Sequence, residues 1–261
     1  MGEPAVLYES TNRVGVVTLN RPDEQNAMTP ELLDAFSVAI GEALRDDGIR
    51  CLVITGTGRC FSAGADLRSS MQRSDLGKPS SDASFAMYEP FLQVLDVEVP
   101  VIAAMNGHTV GGGFGLTLLA DIRVANVGAK YGANFARLGI HSGLGISYLL
   151  PRLVGVAQAS ELLFTGKLIR GDEALRIGLV THAEEAEQVL PTAMSLAGEM
   201  AASAPAAVQQ MKASIRRGLR WEIREAALQE AELQAASLTT EDAKEGVSAV
   251  LEKREPEFNG R

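Results

Sequence analysis

The sequence predicts an α/β layered fold, and three observations predict it. Short apolar runs bounded by polar or turn residues recur through the first half of the chain. Each run leads into a glycine-containing turn, and segments of helical period follow. With 261 residues and 46% hydrophobic content, the chain can bury one sizeable core without disulfide staples.

The elements follow in order. Val14, Val16 and Thr18 alternate between Asn12-Arg13 and Asn20-Arg21-Pro22, which reads as a strand. Thr29 is a helix N-cap and Pro30 suits the first helical position. Leu32, Leu33, Phe36, Ile40 and Leu44 then recur at helical spacing up to Gly48. The segments Arg50 to Thr55, Val101 to Met105 and Ile122 to Ala125 are short, continuously apolar strands. Ser69 to Asp82, polar and rich in Ser and Gly, reads as a loop or frayed helix. Asp82 to Leu95 is a helix whose Met87, Tyr88 and Phe91 belong to the core or line a pocket, with Glu89 solvated. Beyond Gly143 strand signals fade into short helices punctuated by Pro151, Gly155, Gly166, Gly171 and Gly178. Three amphipathic helices close the chain, at Pro205 to Gly218, Trp221 to Ser237 and Thr240 to Arg254.

Composition removes several function classes. A net charge of −9 disfavours a nucleic-acid binder, and an anionic ligand would have to be held by local cations. No apolar window is long enough to span a membrane, and the start of the chain has no basic segment followed by an apolar one. Cys51 and Cys60 lack metal-ligand spacing, and the three histidines lie far apart. No metal site is expected, and a reduced, cytoplasmic setting is. Gly56-Thr57-Gly58 follows a strand, but Phe61 stands where a dinucleotide fingerprint needs its third glycine. Gly145-Ile146-Ser147-Tyr148-Leu149 lacks the second glycine of a nucleophile elbow.

Two glycine-rich turns remain. Phe61-Ser62-Ala63-Gly64-Ala65-Asp66-Leu67 follows one apolar strand and Asn106-Gly107-His108-Thr109-Val110-Gly111-Gly112-Gly113 follows another. Small residues at a strand-to-helix turn leave backbone N–H groups unencumbered. Two such turns face to face suit a carbonyl oxygen that gains negative charge.

Together with Asn20-Arg21-Pro22, Asn26-Ala27, Pro100 to Gly107, Ala120-Asp121-Ile122 and Gly171-Asp172-Glu173-Ala174, these turns make the chain similar to the enoyl-CoA hydratase/isomerase (crotonase) family from about residue 6 to 258. The resemblance implies a spiral of ββα units. It divides the chain into an acyl-CoA-binding core, residues 1–200, and a C-terminal helical trimerisation region, residues 201–261, with homotrimers or homohexamers as the assembly. It implies an oxyanion hole made by the N–H groups of Ala65 and Gly112, and a CoA channel along Asn26, Ala27, Ala63 and Leu67. Arg68 and Lys253 match cations near the adenosine phosphates, Lys253 acting across a subunit boundary. An acyl-CoA or enoyl-CoA thioester is then the substrate, with no separate cofactor.

The pattern departs from the family where hydratases carry glutamates: Gly115 and Phe135 stand at those two positions. Gly143 stands where related isomerases and dehalogenases carry an acid. Candidate replacements are His141 and Ser142, then His108, Asn134 and Glu89. Weak or no crotonyl-CoA hydration is expected. A non-catalytic acyl-CoA binder is the competing reading.

Overall fold

The computed structural model describes residues 3–66 and 80–261. Its strands are β1 (Val6–Thr11), β2 (Val14–Leu19), β3 (Cys51–Gly56), β4 (Cys60–Ser62), β5 (Val101–Met105), β6 (His108–Val110), β7 (Ile122–Asn126), β8 (Lys130–Gly132), β9 (Ile169–Arg170) and β10 (His182–Glu184). Six form one sheet in the order β1-β2-β3-β5-β7-β10, and four form a second in the order β4-β6-β8-β9. The expected spiral of ββα units is visible in this division. Each of β3, β5 and β7 lies in the first sheet and hands the chain within a few residues to β4, β6 or β8 in the second. A helical segment then returns it.

The first sheet is buried on two faces, which is why its strands read as unbroken apolar runs. Leu52, Ile54, Val101, Ala103 and Met105 point into the main core. Cys51, Val53, Ile102, Ala104 and Val124 point the other way, onto Val189, Ala193, Ala197 and Ala201. Those four residues, one every four positions, form a narrow stripe along a helix at Ala186–Ala202. Both cysteines are buried and unpaired, and burial pushes the Cys51 thiol up to about 12. The β1-β2 hairpin closes through Asn12 and Arg13, whose φ values of 51° and 67° give two left-handed central residues, as a tight hairpin requires.

The helices are α1 (Pro30–Arg45), α2 (Ser81–Leu92), α3 (Gly112–Leu119), α4 (Ile146–Val154), α5 (Val156–Thr165), α6 (Gly171–Arg176), α7 (Ala186–Ala202), α8 (Pro205–Ile215), α9 (Leu219–Ser237) and α10 (Glu241–Glu252). Thr29 caps α1 by accepting from the Leu32 N–H at 3.2 Å, and Thr240 caps α10 from the Ala243 N–H at 3.0 Å. The sequence shows no strand beyond Gly143, yet β9 and β10 form there. Strands of two or three residues are too short to display a period, and pairing with β8 and β7 creates them. Among the described residues no helix is long and apolar enough to cross a membrane, and no cluster of His, Cys, Asp or Glu has the makings of a metal site.

The last three helices are tied to the core by polar and close-packed contacts. Asp121, just before β7, accepts from the Val101 N–H at 2.7 Å and pairs with Lys212 Nζ at 2.9 Å and Arg216 Nε at 2.6 Å. Lys212 also donates to the Val99 carbonyl, and burial holds its pKa below the usual lysine range against the opposing pull of Asp121. Helix α9 lies along α2, and α10 lies on a 3-10 turn at Asn134–Leu138. The latter contact is so close that a Cβ on Gly246 would stand 2.4 Å from the Leu138 carbonyl carbon.

Asp121→Ala is expected to cost about 2–3 kcal/mol in urea unfolding, because it strands a largely buried ammonium and an N–H donor together. Lys212→Met should cost clearly less, since Arg216 and Val101 still satisfy the carboxylate. Equal losses for the two variants would show that the stranded ammonium is not what makes loss of the aspartate costly.

Candidate active site

The turn after β4 is built against the loop before α1. Ala63 donates its N–H to the Gln25 carbonyl at 3.0 Å, and Met28 donates to the Gly64 carbonyl at 2.8 Å. Ser62 Oγ donates to the Asn26 carbonyl at 2.8 Å and accepts from the Gly64 N–H. Asn26 is fully buried and braces the arrangement. Its Nδ2 donates to the carbonyls of Cys60 and Thr57, and its Oδ1 accepts from the Arg21 N–H at 2.7 Å. Every polar atom of that amide is engaged within the protein, so Asn26 shapes the wall near Ala27 and Ala63 through the backbone.

The turn after β6 meets this one at van der Waals distance. Gly64 has φ +80°, and a Cβ there would stand 2.7 Å from the Val110 carbonyl oxygen and 3.3 Å from the Gly112 nitrogen. Gly112 opens α3, where a helix has no internal partner for its first N–H groups. The Gly111 N–H is used by the Gly132 carbonyl, whereas those of Ala65 and Gly112 have no hydrogen-bond partner among the described residues. Ala65 is exposed and Gly112 buried. Adjoining donors of this kind suit an oxygen that acquires negative charge.

Apolar side chains crowd the space around Gly112. A Cβ on Gly112 would meet Met28 Sδ at 2.3 Å and Tyr88 Cε1 at 3.5 Å, and one on Gly143 would meet Tyr88 Cε2 at 2.3 Å. The Tyr88 ring therefore bridges the two glycine turns. Its hydroxyl donates to Gln234 Oε1 at 3.1 Å, and Gln234 Nε2 donates back at 2.9 Å and to the His141 carbonyl at 3.0 Å. Burial raises the Tyr88 pKa, so the phenol stays neutral. At Gly115 a Cβ would meet Leu144 Cδ2 at 2.8 Å and Ile146 Cδ1 at 3.1 Å. The Phe135 ring and Asn134 Oδ1 lie 3.9 and 3.8 Å from a Cβ on Gly111. Beside Ala65 a cleft of about 360 Å³ opens, lined among others by Met28, Leu33, Asp66, Met87 and Pro90.

The titratable groups are placed as follows. His141 Nδ1 lies 2.8 Å from the Ser142 carbonyl, an arrangement that needs the proton on Nδ1 and leaves Nε2 as an acceptor. Ser142 is buried. His108 opens β6 rather than sitting in the turn, its Nδ1 accepting from the Lys130 N–H at 3.0 Å, and burial lowers its pKa. Glu89 is exposed. Lys253 is exposed at the end of α10, and Leu67 and Arg68 lie outside the described residues.

Glu230 is a group the sequence reading overlooked. It is the one buried carboxylate among the described residues, accepting from the Gly145 N–H at 2.6 Å and from both the N–H and hydroxyl of Ser147. Burial raises its pKa against those bonds and the nearby His141. It caps α4, and so sets Leu144 and Ile146 against Gly115. The signal was in the spacing. Ile223, Ala227, Glu230, Ala231 and Gln234 form one helical stripe, so Glu230 and Gln234 share the buried face of α9.

The family described as enoyl-CoA hydratase/isomerase matches residues 9–261 of this chain. The chain is 36% identical over 255 residues to the short-chain-enoyl-CoA hydratase of Clostridium acetobutylicum, covering 97% of this chain and 96% of that protein. It is 37% identical over 256 residues to the 2,3-dehydroadipyl-CoA hydratase of Escherichia coli, covering 98% and 99%. Among solved structures, an enoyl-CoA hydratase/isomerase from Pseudoalteromonas atlantica superposes with a TM-score of 0.86 at 31% identity, covering 98% of this chain and 100% of that one.

Because the Tyr88 ring occupies the place of a side chain at position 143, Gly143→Ala should destabilise the fold by about 1–3 kcal/mol through overpacking. Tyr88→Leu in the same chain should recover much of that loss, giving a favourable coupling in a double-mutant cycle of thermal or urea unfolding. Additive losses would mean that the ring and the Gly143 turn do not share the space.

Proposed function

Because the chain belongs to the enoyl-CoA hydratase/isomerase family, we propose that it acts on an acyl-CoA or enoyl-CoA thioester whose carbonyl oxygen accepts hydrogen bonds from the Ala65 and Gly112 N–H groups. The observation that carries this reading is the contact of the two turns, in which Gly64 lies against Gly112 with both donors unengaged among the described residues. Such donors favour the enolate form of a thioester over its ground state, the difference that accelerates a reaction. The thioester is itself the substrate, and no further cofactor is called for. On the family resemblance its CoA moiety passes Ala27 and Ala63, and the cations Arg68 and, from a neighbouring subunit, Lys253 offset the chain's negative charge.

Hydration of an enoyl thioester also needs a group to activate water and one to protonate carbon, each contributing about 10²–10⁴-fold. At Gly115, Phe135 and Gly143 the chain offers no carboxylate; Leu144 and Ile146 pack on Gly115 and the Tyr88 ring on Gly143. Proton transfer in this protein therefore falls to His141 through Nε2 and Ser142 through its hydroxyl. Crotonyl-CoA is a poor substrate for hydration. A second reading, a non-catalytic acyl-CoA binder, draws support from Glu230, whose oxygens already hold the start of α4.

We further infer a cytoplasmic homotrimer or homohexamer. Large apolar side chains exposed on three helices support self-association: Phe164 at 80%, Ile215 at 83% and Trp221 at 72%.

Crotonyl-CoA hydration, followed by loss of the conjugated thioester absorbance, is expected to run several orders of magnitude below that of a glutamate-bearing relative assayed alongside. Gly115→Glu should not restore it, because Leu144 and Ile146 occupy the space a carboxylate would need. Robust hydration by the unmodified protein would refute the assignment of the acid and base.

Ala65→Pro removes one donor without touching the buried core. With the fold verified by circular dichroism, it should weaken acyl-CoA binding or turnover at least tenfold. Binding of acyl-CoA without turnover of any thioester in a chain-length panel would favour the binder.

A further inference from the structure

We propose that Tyr88 is the specificity-determining residue of the acyl pocket, closing it beyond the first few carbons and restricting the protein to short acyl groups. This rests on the acyl-CoA reading above. With the thioester oxygen at the Gly112 N–H, the next carbons must pass the side chains packed around Gly112. Met28 closes one side, and the Leu144 and Ile146 side chains cover Gly115 one turn further along α3. Phe135 covers Gly111. Tyr88 spans what remains, with one ring edge against Gly112 and the other against Gly143, and it is 3% exposed.

The ring is held in place rather than left to swing aside. Its hydroxyl is bonded to Gln234, whose Nε2 also holds the His141 carbonyl, so moving the ring would strand buried polar groups of α9 and of the 141–143 turn. A buried polar anchor on an aromatic wall gives a fixed boundary, which a flexible methionine such as Met28 does not. Each methylene that cannot enter a closed apolar pocket weakens binding by roughly tenfold or more. The boundary therefore reads out as a steep dependence on chain length.

The test is calorimetric binding of acetyl-, butyryl- and octanoyl-CoA to the full chain and to Tyr88→Ala, Tyr88→Leu and Tyr88→Phe. Unmodified protein should bind butyryl-CoA at least tenfold more tightly than octanoyl-CoA. Tyr88→Ala should shift that ratio at least tenfold toward octanoyl-CoA. Tyr88→Leu, which leaves a smaller void should the alanine variant not fold, should shift it in the same direction. Tyr88→Phe keeps the ring but loses its bond to Gln234, and should shift the ratio in the same direction by less than Tyr88→Ala does. A purely structural role would lower all affinities together and leave the ratio alone, and that result would overturn the proposal. So would an unmodified protein that prefers octanoyl-CoA, which would route the chain through the cleft beside Met87. If no acyl-CoA bound the unmodified protein, the acyl-CoA reading would fall together with this one, whereas butyryl-CoA binding with an unmoved ratio sinks this proposal alone.

Discussion

The contact on which the rest depends is the approach of the Gly64 turn to the Gly111-Gly112 turn. Any side chain at position 64 would be driven into the Val110 carbonyl, and the left-handed conformation there is one that L side chains rarely adopt. The two-sheet spiral creates this approach, because β4 and β6 pair in parallel and end side by side. The buried Asn26 amide and Ser62 hydroxyl fix the first turn to the loop before α1. The start of α3 fixes the second.

Around those turns the packing is apolar. Position 115 is a glycine packed under Leu144 and Ile146, position 143 a glycine packed under Tyr88, and position 135 a phenylalanine. An empty apolar site would cost stability, and a buried unpaired acid would cost more. Filling these sites with hydrocarbon and a hydrogen-bonded phenol avoids both penalties.

Helix α9 governs this neighbourhood from outside it. Glu230 and Gln234 are one turn apart on its buried face; the first holds the residues that carry Leu144 and Ile146, and the second holds Tyr88 and the His141 carbonyl. Asp96 pairs with Arg220 and Arg224 on the same helix, fastening its first half to the end of the segment that carries Tyr88. A segment distant in sequence thus sets the shape of a site formed by strand-to-helix turns.

The sequence alone determined what local chemistry determines. The central strands were legible because both faces of their sheet are buried, α1 and α10 because Thr29 and Thr240 supply caps ahead of periodic apolar residues, and the two turns because glycine marks strand-to-helix junctions. The order of the motifs also identified the family. Tertiary structure decided what depends on residues far apart in the chain. β9 and β10 exist only through their pairing partners. Asn26 proved to be an internal brace because its partners lie more than thirty positions away in the carbonyls of Thr57 and Cys60. The role of Glu230, a charge inside an alanine-rich helix, depends on the N-terminus of α4 lying over it. Tyr88 read as core or pocket lining, and only the fold placed its ring between Gly112 and Gly143, because a side chain's period tells which face it occupies and not what stands opposite.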